Sequence, residues 1–165
     1  MKTVFFKTNE YKLFANPIQV GDKLTFEATT TSLENYEFDV PGKLTVVSVF
    51  PAINTSVCDF QTQEISAIAK KYGDKLQVLT ISVDLPFTLN EWCAAHGVNN
   101  IVPLSDHKKL VFGKRNGLLI EELGLLARTV IITDEKGIVK YIDINKNVHE
   151  QVDFDKFNKE LEKYV

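Results

Sequence analysis

The sequence predicts an α/β protein in which helices flank a mixed β-sheet. Residues 44–50 and 76–85 are apolar, β-branched runs with the composition of strands that are buried on both faces. Between them lies an imperfect apolar stripe with helical spacing, which ends near Gly73. Residues 130–133 and 138–144 flank a glycine-containing turn and predict a hairpin. Strands that alternate with helices and are followed by a hairpin are typical of an α/β sandwich with a mixed sheet.

The remaining elements complete the order of the chain. Thr88 and Glu91 form a capping-box pattern that predicts a helix start, and Asp153 predicts the start of the last helix. A thioredoxin-like fold with an N-terminal β-hairpin extension fits the full order best. The other predicted elements are a hairpin at residues 4–6 and 11–14, strands at 24–31, 36–40 and 102–104, a helix to about Tyr72, a short helix ending near Gly97, and a partly helical segment at 110–126.

Length and composition limit the classes of protein that the sequence allows. The 165 residues suit one domain, which we expect to span residues 1–165. The net charge of -3 and the absence of a long basic run speak against a nucleic-acid partner. The amino terminus becomes charged too early for a signal peptide, and no apolar run approaches the roughly 18 residues of a membrane span. We therefore expect a cytoplasmic protein that does not associate with membranes.

The two cysteines, Cys58 and Cys93, are the first candidates for chemistry. In a reducing cytosol a structural disulfide is not expected, so a catalytic or redox-sensing cysteine is the better interpretation. Cys93 and His96 are one helical turn apart, but no second pair of ligands has a recognisable spacing. We therefore expect no metal site.

Cys58 is expected in the first turn of a helix, just past the carboxyl end of the strand at residues 44–50. Open α/β sheets bind ligands at that edge. A helix N-terminus carries unpaired N–H groups and a partial positive charge, and both favour a thiolate. The alternative is a small buried hydrophobic residue, which is the role of most free cysteines. The helix-start position favours a reactive cysteine.

Several neighbours could support a thiolate at this position. Thr55 could cap the helix or direct its hydroxyl at the sulfur, and Pro51, which has no N–H, could shape a dry wall. Asp59 adds a like charge beside the thiol, so a compensating cation is required. Arg128, which precedes the strand at residues 130–133, is our candidate, because neighbouring strands of a sheet end near one another. An ordinary surface arginine is the alternative, but the apolar stretch before it favours a partly buried one. Its guanidinium could stabilise both a thiolate and a developing oxyanion.

These residues resemble a known family. Residues 51–58, Pro-Ala-Ile-Asn-Thr-Ser-Val-Cys, fit the Pro-x-x-x-Thr-x-x-Cys signature of the peroxiredoxins. Nearly the whole chain resembles the bacterial thiol peroxidase branch, which belongs to the atypical 2-Cys peroxiredoxins. The segments that carry this likeness are the N-terminal hairpin, 20–23, 49–51, 83–87, a cysteine on the following helix, and 127–128. Residues 24–26 depart from the usual Ala-Pro-x-Phe, and residues 108–126 match less clearly.

The resemblance implies a role for each candidate residue. Cys58 resembles the peroxidatic cysteine, which passes through a sulfenic acid, and Cys93 resembles the resolving cysteine of the same chain. Thr55 resembles the threonine that hydrogen-bonds sulfur and peroxide, and Pro51 the proline that shields the thiolate from water. Arg128 resembles the arginine that polarises the peroxide.

The resemblance also implies a function. The expected enzyme is a thioredoxin-dependent thiol peroxidase that serves in antioxidant defence. It would reduce hydrogen peroxide and alkyl hydroperoxides to water and alcohols, and thioredoxin would reduce the intrachain disulfide. No cofactor or metal is needed for this chemistry, and a homodimer is expected from the family.

Three other functions are open from the residues alone. A thioredoxin-like disulfide oxidoreductase would need Cys-x-x-Cys, but residue 61 is Gln. A cysteine hydrolase would need a histidine base beside Cys58, and no histidine lies in a recognisable partner motif. A non-catalytic thiol redox sensor would use the same sulfur chemistry and differ only in turnover and partner.

Overall fold

A mixed sheet of seven strands is the centre of the computed structural model, which describes residues 2–165. In chain order the elements are β1 (Thr3–Phe6), β2 (Asn9–Lys12), β3 (Phe26–Thr30), β4 (Asn35–Phe38), β5 (Thr45–Val49), α1 (Ser56–Tyr72), a 3₁₀ turn (Gly73–Lys75), β6 (Gln77–Ser82), α2 (Pro86–His96), β7 (Val102–Ser105), α3 (Val111–Asn116), β8 (Leu119–Ile120), β9 (Leu125–Leu126), β10 (Thr129–Thr133), β11 (Val139–Ile144) and α4 (Phe154–Glu162).

The sheet combines a parallel centre with antiparallel edges. Strands β5, β6 and β7 are parallel neighbours. On one side β10 pairs antiparallel with β5 and β11, and on the other side β3 pairs antiparallel with β7 and β4. All five residues of β5 are buried, as the apolar run predicted for a central strand. The predicted α/β order with a mixed sheet is confirmed.

Helices cover both faces of the sheet. On one face Ile65 and Ile68 of α1 and Phe157 of α4 pack against β5 and β10. On the other face Phe26 stacks on Phe38 and meets Phe112 of α3 edge to face, with ring centroids 5.1 and 4.9 Å away. Burial of each such side chain contributes about 1.5–3 kcal/mol. None of the helices within residues 2–165 combines the length and apolar character that a membrane crossing requires.

The N-terminal hairpin of β1 and β2 holds the segment that follows β11. The N–H of Phe5 donates to the carbonyl of Lys146, and the N–H of Val148 donates to the carbonyl of Phe5, both at 2.8 Å. Val4, Ala127 and Val148 are buried in one cluster. The hairpin therefore fixes the backbone beside the start of β10.

Two predicted helix starts had different outcomes. The carboxylate of Asp153 accepts a hydrogen bond from the N–H of Lys156, which confirms the cap of α4. The capping box of Thr88 and Glu91 is wrong, because α2 already begins at Pro86. Proline has a fixed φ that suits the first helical position and lacks an N–H that would need a partner, so it takes precedence over the capping pattern two residues later.

Asp106 connects β7 to α3 through a buried carboxylate. Its two oxygens accept hydrogen bonds from the N–H groups of Phe112 and Gly113, each at 2.9 Å. Leu110 precedes α3 with a left-handed φ of 54°, and its apolar side chain cannot accept a hydrogen bond from the helix. Asp106 therefore caps α3 in its place. Only 3% of Asp106 is exposed, and this burial raises the pKa of its carboxyl group to about 6 in spite of the two bonds.

The raised pKa predicts how the stability of the protein depends on pH. The folded state holds a proton on Asp106 up to about pH 6, whereas an unfolded aspartate releases it near 3.9. The stabilisation from this proton is therefore complete below about pH 4 and is lost as the pH rises through 6, by about 3 kcal/mol in total. Urea denaturation of the wild type and of Asp106→Asn from pH 4 to 7.5 measures this loss. The free energy of unfolding of the wild type relative to that of Asp106→Asn should fall by about 3 kcal/mol over this range. A difference between the two proteins that does not change with pH would contradict the prediction.

Candidate active site

Cys58 lies where the sequence predicted, in the first turn of α1 and just past the carboxyl end of β5. Its side chain is 0% exposed and packs in a cluster with Phe50, Ile53, Leu89 and Trp92. Because the first N–H groups of α1 have no partners within the helix, the sulfur lies at the positive end of the helix dipole.

The loop that leads to Cys58 is fixed by Asp84, at the end of β6. The Oδ2 atom of Asp84 accepts hydrogen bonds from the N–H of Ile53 at 2.8 Å and from the hydroxyl of Ser82 at 2.7 Å. Pro51 is buried in the same loop. Sequence reasoning missed Asp84. Its signal was an acidic residue near the end of a predicted buried strand.

Arg128 reaches the sulfur from the start of β10. Its Nη2 atom donates to Cys58 Sγ at 3.4 Å, its Nη1 to Gln61 Oε1 at 2.6 Å, and its Nε to the carbonyl of Val148 at 2.8 Å. The antiparallel pairing of Thr129 with Val49 brings these two strand ends together. Arg128 is only 2% exposed, so it is more deeply buried than the sequence predicted.

The charge of Arg128 has no carboxylate partner in the part of the chain that the structure describes. Within residues 2–165, no acidic oxygen lies within 4.0 Å of its guanidinium group. A buried cation without an anion is costly, and the two oxygens that it contacts belong to neutral groups. The sulfur of Cys58 is therefore the group at this site that can supply the missing negative charge.

Gln61 is a second residue of the site that sequence reasoning missed. It is completely buried, one helical turn after Cys58. Its Nε2 atom donates to Ser48 Oγ at 2.8 Å and to the carbonyl of Val49 at 3.2 Å, while its Oε1 accepts from Arg128. The amide thus fixes the guanidinium against β5. The available signal was a polar residue on the helix face that carries Cys58.

Thr55 occupies the N-cap position of α1, but its hydroxyl does neither of the things that we expected. It is exposed and donates to the carbonyl of Ala52 at 2.9 Å. Among residues 2–165 it makes no bond to the sulfur or to an N–H of the helix. The cause is the turn at residues 52–55, in which the N–H of Thr55 also bonds to Ala52. The hydroxyl still has its lone pairs, so it can accept a hydrogen bond from a bound molecule.

Asp59 does not face the sulfur. Its Oδ2 atom accepts a hydrogen bond from Trp92 Nε1 at 2.9 Å and lies 3.3 Å from His96 Nε2, both on α2. Gln63 donates to its other oxygen. The hydrogen bond from Trp92 is the main reason that the pKa of Asp59 is lowered. The like charge beside Cys58 is therefore directed away from the thiol.

Cys93 lies in the second half of α2, which ends before Gly97 as predicted. Its side chain is half-buried against the cluster around Cys58, and this burial raises the pKa of the Cys93 thiol. Both cysteines are free thiols. The two cysteines thus belong to one site but differ in burial and in charged neighbours.

The histidines do not supply a base for Cys58. His96 Nδ1 contacts the carbonyl of Trp92, His107 Nδ1 contacts Ser105 Oγ, and His149 Nδ1 accepts from the N–H of Lys7. In the described part of the chain, no histidine nitrogen bonds to the sulfur. That geometry argues against a cysteine hydrolase, which needs a base within hydrogen-bond reach. No cluster of three possible metal ligands occurs among residues 2–165.

Comparison with known proteins identifies the family. Residues 20–142 match the model of the AhpC/TSA family. The thiol peroxidase of Bacillus subtilis (strain 168) is 43% identical over 145 residues, which cover 87% of this chain and 86% of that protein. The thiol peroxidase of Halalkalibacterium halodurans is 39% identical over 158 residues, covering 94% and 95% of the two chains.

Solved structures show the same fold. A peroxiredoxin-like protein from Aquifex aeolicus superposes with a TM-score of 0.92 and 25% identity, covering 100% of this chain and 98% of the other. A thiol peroxidase from Chromobacterium violaceum gives a TM-score of 0.85 at 22% identity, covering 98% and 95%. The predicted thioredoxin-like fold of the peroxiredoxin type is confirmed. The chain therefore belongs to the AhpC/TSA family, and within it to the branch of the bacterial thiol peroxidases.

Proposed function

We propose that this protein is a thioredoxin-dependent peroxidase that reduces hydroperoxides at Cys58 and closes an intrachain disulfide with Cys93. The observation that carries the proposal is the buried Arg128 guanidinium, which lies 3.4 Å from Cys58 Sγ and has no carboxylate partner among residues 2–165. A fixed cation beside a sulfur at a helix N-terminus favours the thiolate, which is the nucleophilic form. The names of the thiol peroxidase relatives support the same activity.

In the first step the Cys58 thiolate attacks one oxygen of a hydroperoxide. An S–O bond forms as the O–O bond breaks, so Cys58 becomes a sulfenic acid. The other oxygen leaves with the electron pair, takes a proton and departs as water or an alcohol. Arg128, which contacts the sulfur, and the first N–H groups of α1 would stabilise the charge that develops on that oxygen. The hydroxyl of Thr55 can accept a hydrogen bond from the peroxide O–H.

In the second step the thiol of Cys93 resolves the sulfenic acid. Its sulfur attacks Cys58, the S–S bond forms, and the hydroxyl group leaves with the thiol proton as water. Thioredoxin then reduces the disulfide through a mixed disulfide and restores both thiols. The apolar side chains of Phe50 and Ile53 around Cys58 favour alkyl hydroperoxides as substrates in addition to hydrogen peroxide.

The remaining parts of the proposal rest on the family. We place the enzyme in antioxidant defence in the cytoplasm, as a homodimer whose subunits each form one domain of residues 1–165. The site as we interpret it uses no metal or organic cofactor.

A thiol redox sensor is the second candidate, because both thiols are free and share one apolar cluster. A sensor would be oxidised once and passed to a partner, without sustained turnover. The disulfide oxidoreductase is less well supported, since Gln61 stands where its second cysteine would be needed and is bonded to Arg128.

Coupled turnover should separate the peroxidase from the sensor. With thioredoxin, thioredoxin reductase and a hydroperoxide, the wild type should consume NADPH continuously, and a single stoichiometric burst would favour the sensor. Cys58→Ser should fold normally but show no consumption, because a hydroxyl does not ionise near neutral pH. If that variant folds and still turns over peroxide, our central assignment is wrong. Comparing hydrogen peroxide with cumene hydroperoxide in the same assay gives the substrate preference.

Replacement of Arg128 should slow the attack on peroxide. We expect Arg128→Ala to lower the rate constant of single-turnover oxidation about a hundredfold or more, which is typical for loss of a donor to a developing oxyanion. Arg128→Lys should recover only part of it, because an ammonium group lacks the planar fork. Stopped-flow rates from pH 5 to 9 distinguish two causes of a slower reaction. If the variant has less thiolate, its rate should return to the wild-type value at high pH. If it stabilises the transition state less well, its rate should stay low at every pH.

The other arginine, Arg115, is the matched control for this experiment. It is exposed and donates to the hydroxyl of Thr25, away from the sulfur. Arg115→Ala should therefore react at the wild-type rate. An Arg128→Ala variant that matches it at every pH would remove Arg128 from the site.

Replacement of Cys93 should stop the cycle after one reaction. Cys93→Ser should react once with peroxide at near-normal speed, because Cys93 takes no part in breaking the O–O bond. Cys58 should then accumulate as sulfenic and later sulfinic acid, and thioredoxin-dependent turnover should cease. Intact mass spectrometry follows this directly, and peroxide should make the wild type lose two hydrogens and stay a monomer on non-reducing gels. A disulfide-linked wild-type dimer, or full turnover by Cys93→Ser, would refute the intrachain mechanism.

A further inference from the structure

The loop that follows β11 supplies an anchor for Arg128, and the N-terminal hairpin holds that loop next to the anchor. The Nε atom of Arg128 donates to the carbonyl of Val148 at 2.8 Å. Before this carbonyl in the chain, the N–H of Val148 donates to the carbonyl of Phe5 at 2.8 Å. After it, Nδ1 of His149 accepts a hydrogen bond from the N–H of Lys7 at 3.0 Å. The Lys7–His149 bond takes no part in the reaction described above.

The two bonds to the hairpin lie on either side of one peptide group. The carbonyl of Val148 and the N–H of His149 belong to the same planar peptide unit, so the carbonyl changes direction only when that unit turns as a whole. The N–H of Val148 restrains the chain before the unit, and the imidazole of His149 restrains it after the unit. Without the bond of His149, the carbonyl is less firmly directed at Arg128.

The direction of this carbonyl matters because the guanidinium group of Arg128 is a rigid plane. Its Nε atom is held by Val148 and its Nη1 atom by Gln61. These two anchors leave Nη2 directed at Cys58 Sγ, at 3.4 Å. Loss of either anchor lets the plane rotate, and rotation changes the distance from Nη2 to the sulfur. The Val148 carbonyl therefore acts on the sulfur through Arg128.

Lys7 donates to His149 from a backbone conformation that is unusual for lysine. It is the first residue of the two-residue turn between Phe6 and Asn9, and its φ of 59° lies in the left-handed region. Residues other than glycine adopt this region at a cost in free energy, and they keep it where surrounding contacts hold them. The ring of Phe6 also lies beside the imidazole of His149, with centroids 6.4 Å apart. The imidazole thus contacts the turn through both its nitrogen and its ring.

The Lys7–His149 bond depends on the protonation of the imidazole. Nδ1 accepts a hydrogen bond only when it carries no proton, whereas both nitrogens of an imidazolium are donors. Turning the ring over does not restore an acceptor, because the two nitrogens are then alike in this respect. Histidine side chains typically change charge between about pH 5 and 8. Acid therefore breaks the bond between the hairpin and the loop.

The charged groups around the imidazole do not compensate for the lost bond. Close to the turn the hairpin carries Lys7 and Glu10, and the loop carries Lys146 and Glu150. The carboxylates of Glu10 and Glu150 accept hydrogen bonds from neutral side chains. Among residues 2–165, no carboxylate oxygen lies within 4.0 Å of the His149 nitrogens. An imidazolium at this position has no ion pair that would hold the loop in place of the bond.

We propose that His149 is a positioning residue for Arg128. Its bond to Lys7 keeps the Val148 carbonyl directed at the guanidinium, and acid breaks that bond and slows the reaction of Cys58. The inference rests on the proposed function and deepens it by assigning a pH-sensitive residue outside the site. When the imidazole is neutral, the guanidinium is held at the sulfur. When the imidazole is protonated, the thiolate and the developing oxyanion are less well stabilised.

Three variants separate the acceptor atom of His149 from its ring and its charge. His149→Asn keeps an acceptor that does not titrate, because the side-chain oxygen of asparagine is bonded to Cγ as Nδ1 is. His149→Phe keeps an aromatic ring but has no acceptor. Glu150→Gln is the matched control, because it changes the charge of the neighbouring exposed residue and leaves the Lys7–His149 bond in place. It also keeps an oxygen for the side chain of Asn147.

Stopped-flow measurement of one reaction of Cys58 with hydrogen peroxide tests the proposal. The parent of all variants is Cys93→Ser, in which Cys58 is the only thiol. At about pH 7.5 we expect His149→Phe to react about fivefold more slowly than the parent, the effect of one lost hydrogen bond, and the other two to match the parent. At about pH 5 the parent and Glu150→Gln should fall to about one fifth of the rate of His149→Asn. Comparison with His149→Asn at the same pH removes the effect of pH on the thiol itself.

Alkylation of Cys58 by iodoacetamide is a second readout that needs no peroxide. It also requires the thiolate, so the variants should rank in the same order. If alkylation ranks them in this way but the wild type consumes no peroxide in the coupled assay, the proposed function is overturned and the role of His149 stands.

Other outcomes overturn the role of His149 itself. It is wrong if His149→Phe reacts with both reagents as fast as the parent does, or if His149→Asn is as slow as His149→Phe. It is also wrong if the parent keeps pace with His149→Asn at about pH 5. A loss of stability of His149→Phe in urea without a change in either rate shows a purely structural role and overturns the proposal as well.

Discussion

The contact between the buried guanidinium of Arg128 and the sulfur of Cys58 determines how the rest of the site is arranged. The cation is 2% exposed, and its other acceptors are the neutral oxygens of Gln61 and Val148. A charge buried in this way destabilises a fold unless an anion offsets it, and a thiolate at Cys58 would do so. The same donors would stabilise the negative charge that develops on the peroxide oxygen that leaves as the O–O bond breaks. The buried guanidinium of Arg128 would therefore stabilise both the thiolate before the reaction and the charge that develops during it.

The position of that contact follows from the topology of the sheet. Because β10 runs antiparallel to β5 and Thr129 pairs with Val49, the residue before β10 lies beside the loop after β5. The carbonyl of Val148 that fixes Arg128 belongs to a segment held by Phe5 of the N-terminal hairpin. Three distant parts of the chain thus converge on one sulfur. The contacts of Arg128 form only when the sheet has formed, since each joins residues at least 20 positions apart in the sequence.

Local patterns predicted most of the fold, and the adjacency of strand ends predicted Arg128. Periodicity and burial give strands and helices, so the position of Cys58 at the start of α1 was accessible from the sequence. Contacts between residues that are distant in the sequence could not be predicted in this way. Asp84 bonds to Ile53 across 31 residues, and Gln61 is identifiable as a site residue only once β5 and β10 stand beside α1. The sequence contains two local signals for the start of α2, Pro86 and the capping pattern of Thr88 and Glu91. The helix begins at Pro86.

The different environments of the two cysteines give them different parts in the proposed cycle. Cys58 lies 3.4 Å from a buried cation and at the N-terminus of a helix, and both would stabilise a thiolate in the proposed attack on peroxide. Cys93 lies near the other end of its helix, where the dipole disfavours an anion, and burial raises the pKa of its thiol. It would therefore remain protonated and slow toward peroxide until Cys58 is oxidised. Separate roles thus need no difference in the sulfur chemistry itself, only in the charge and burial that each helix provides.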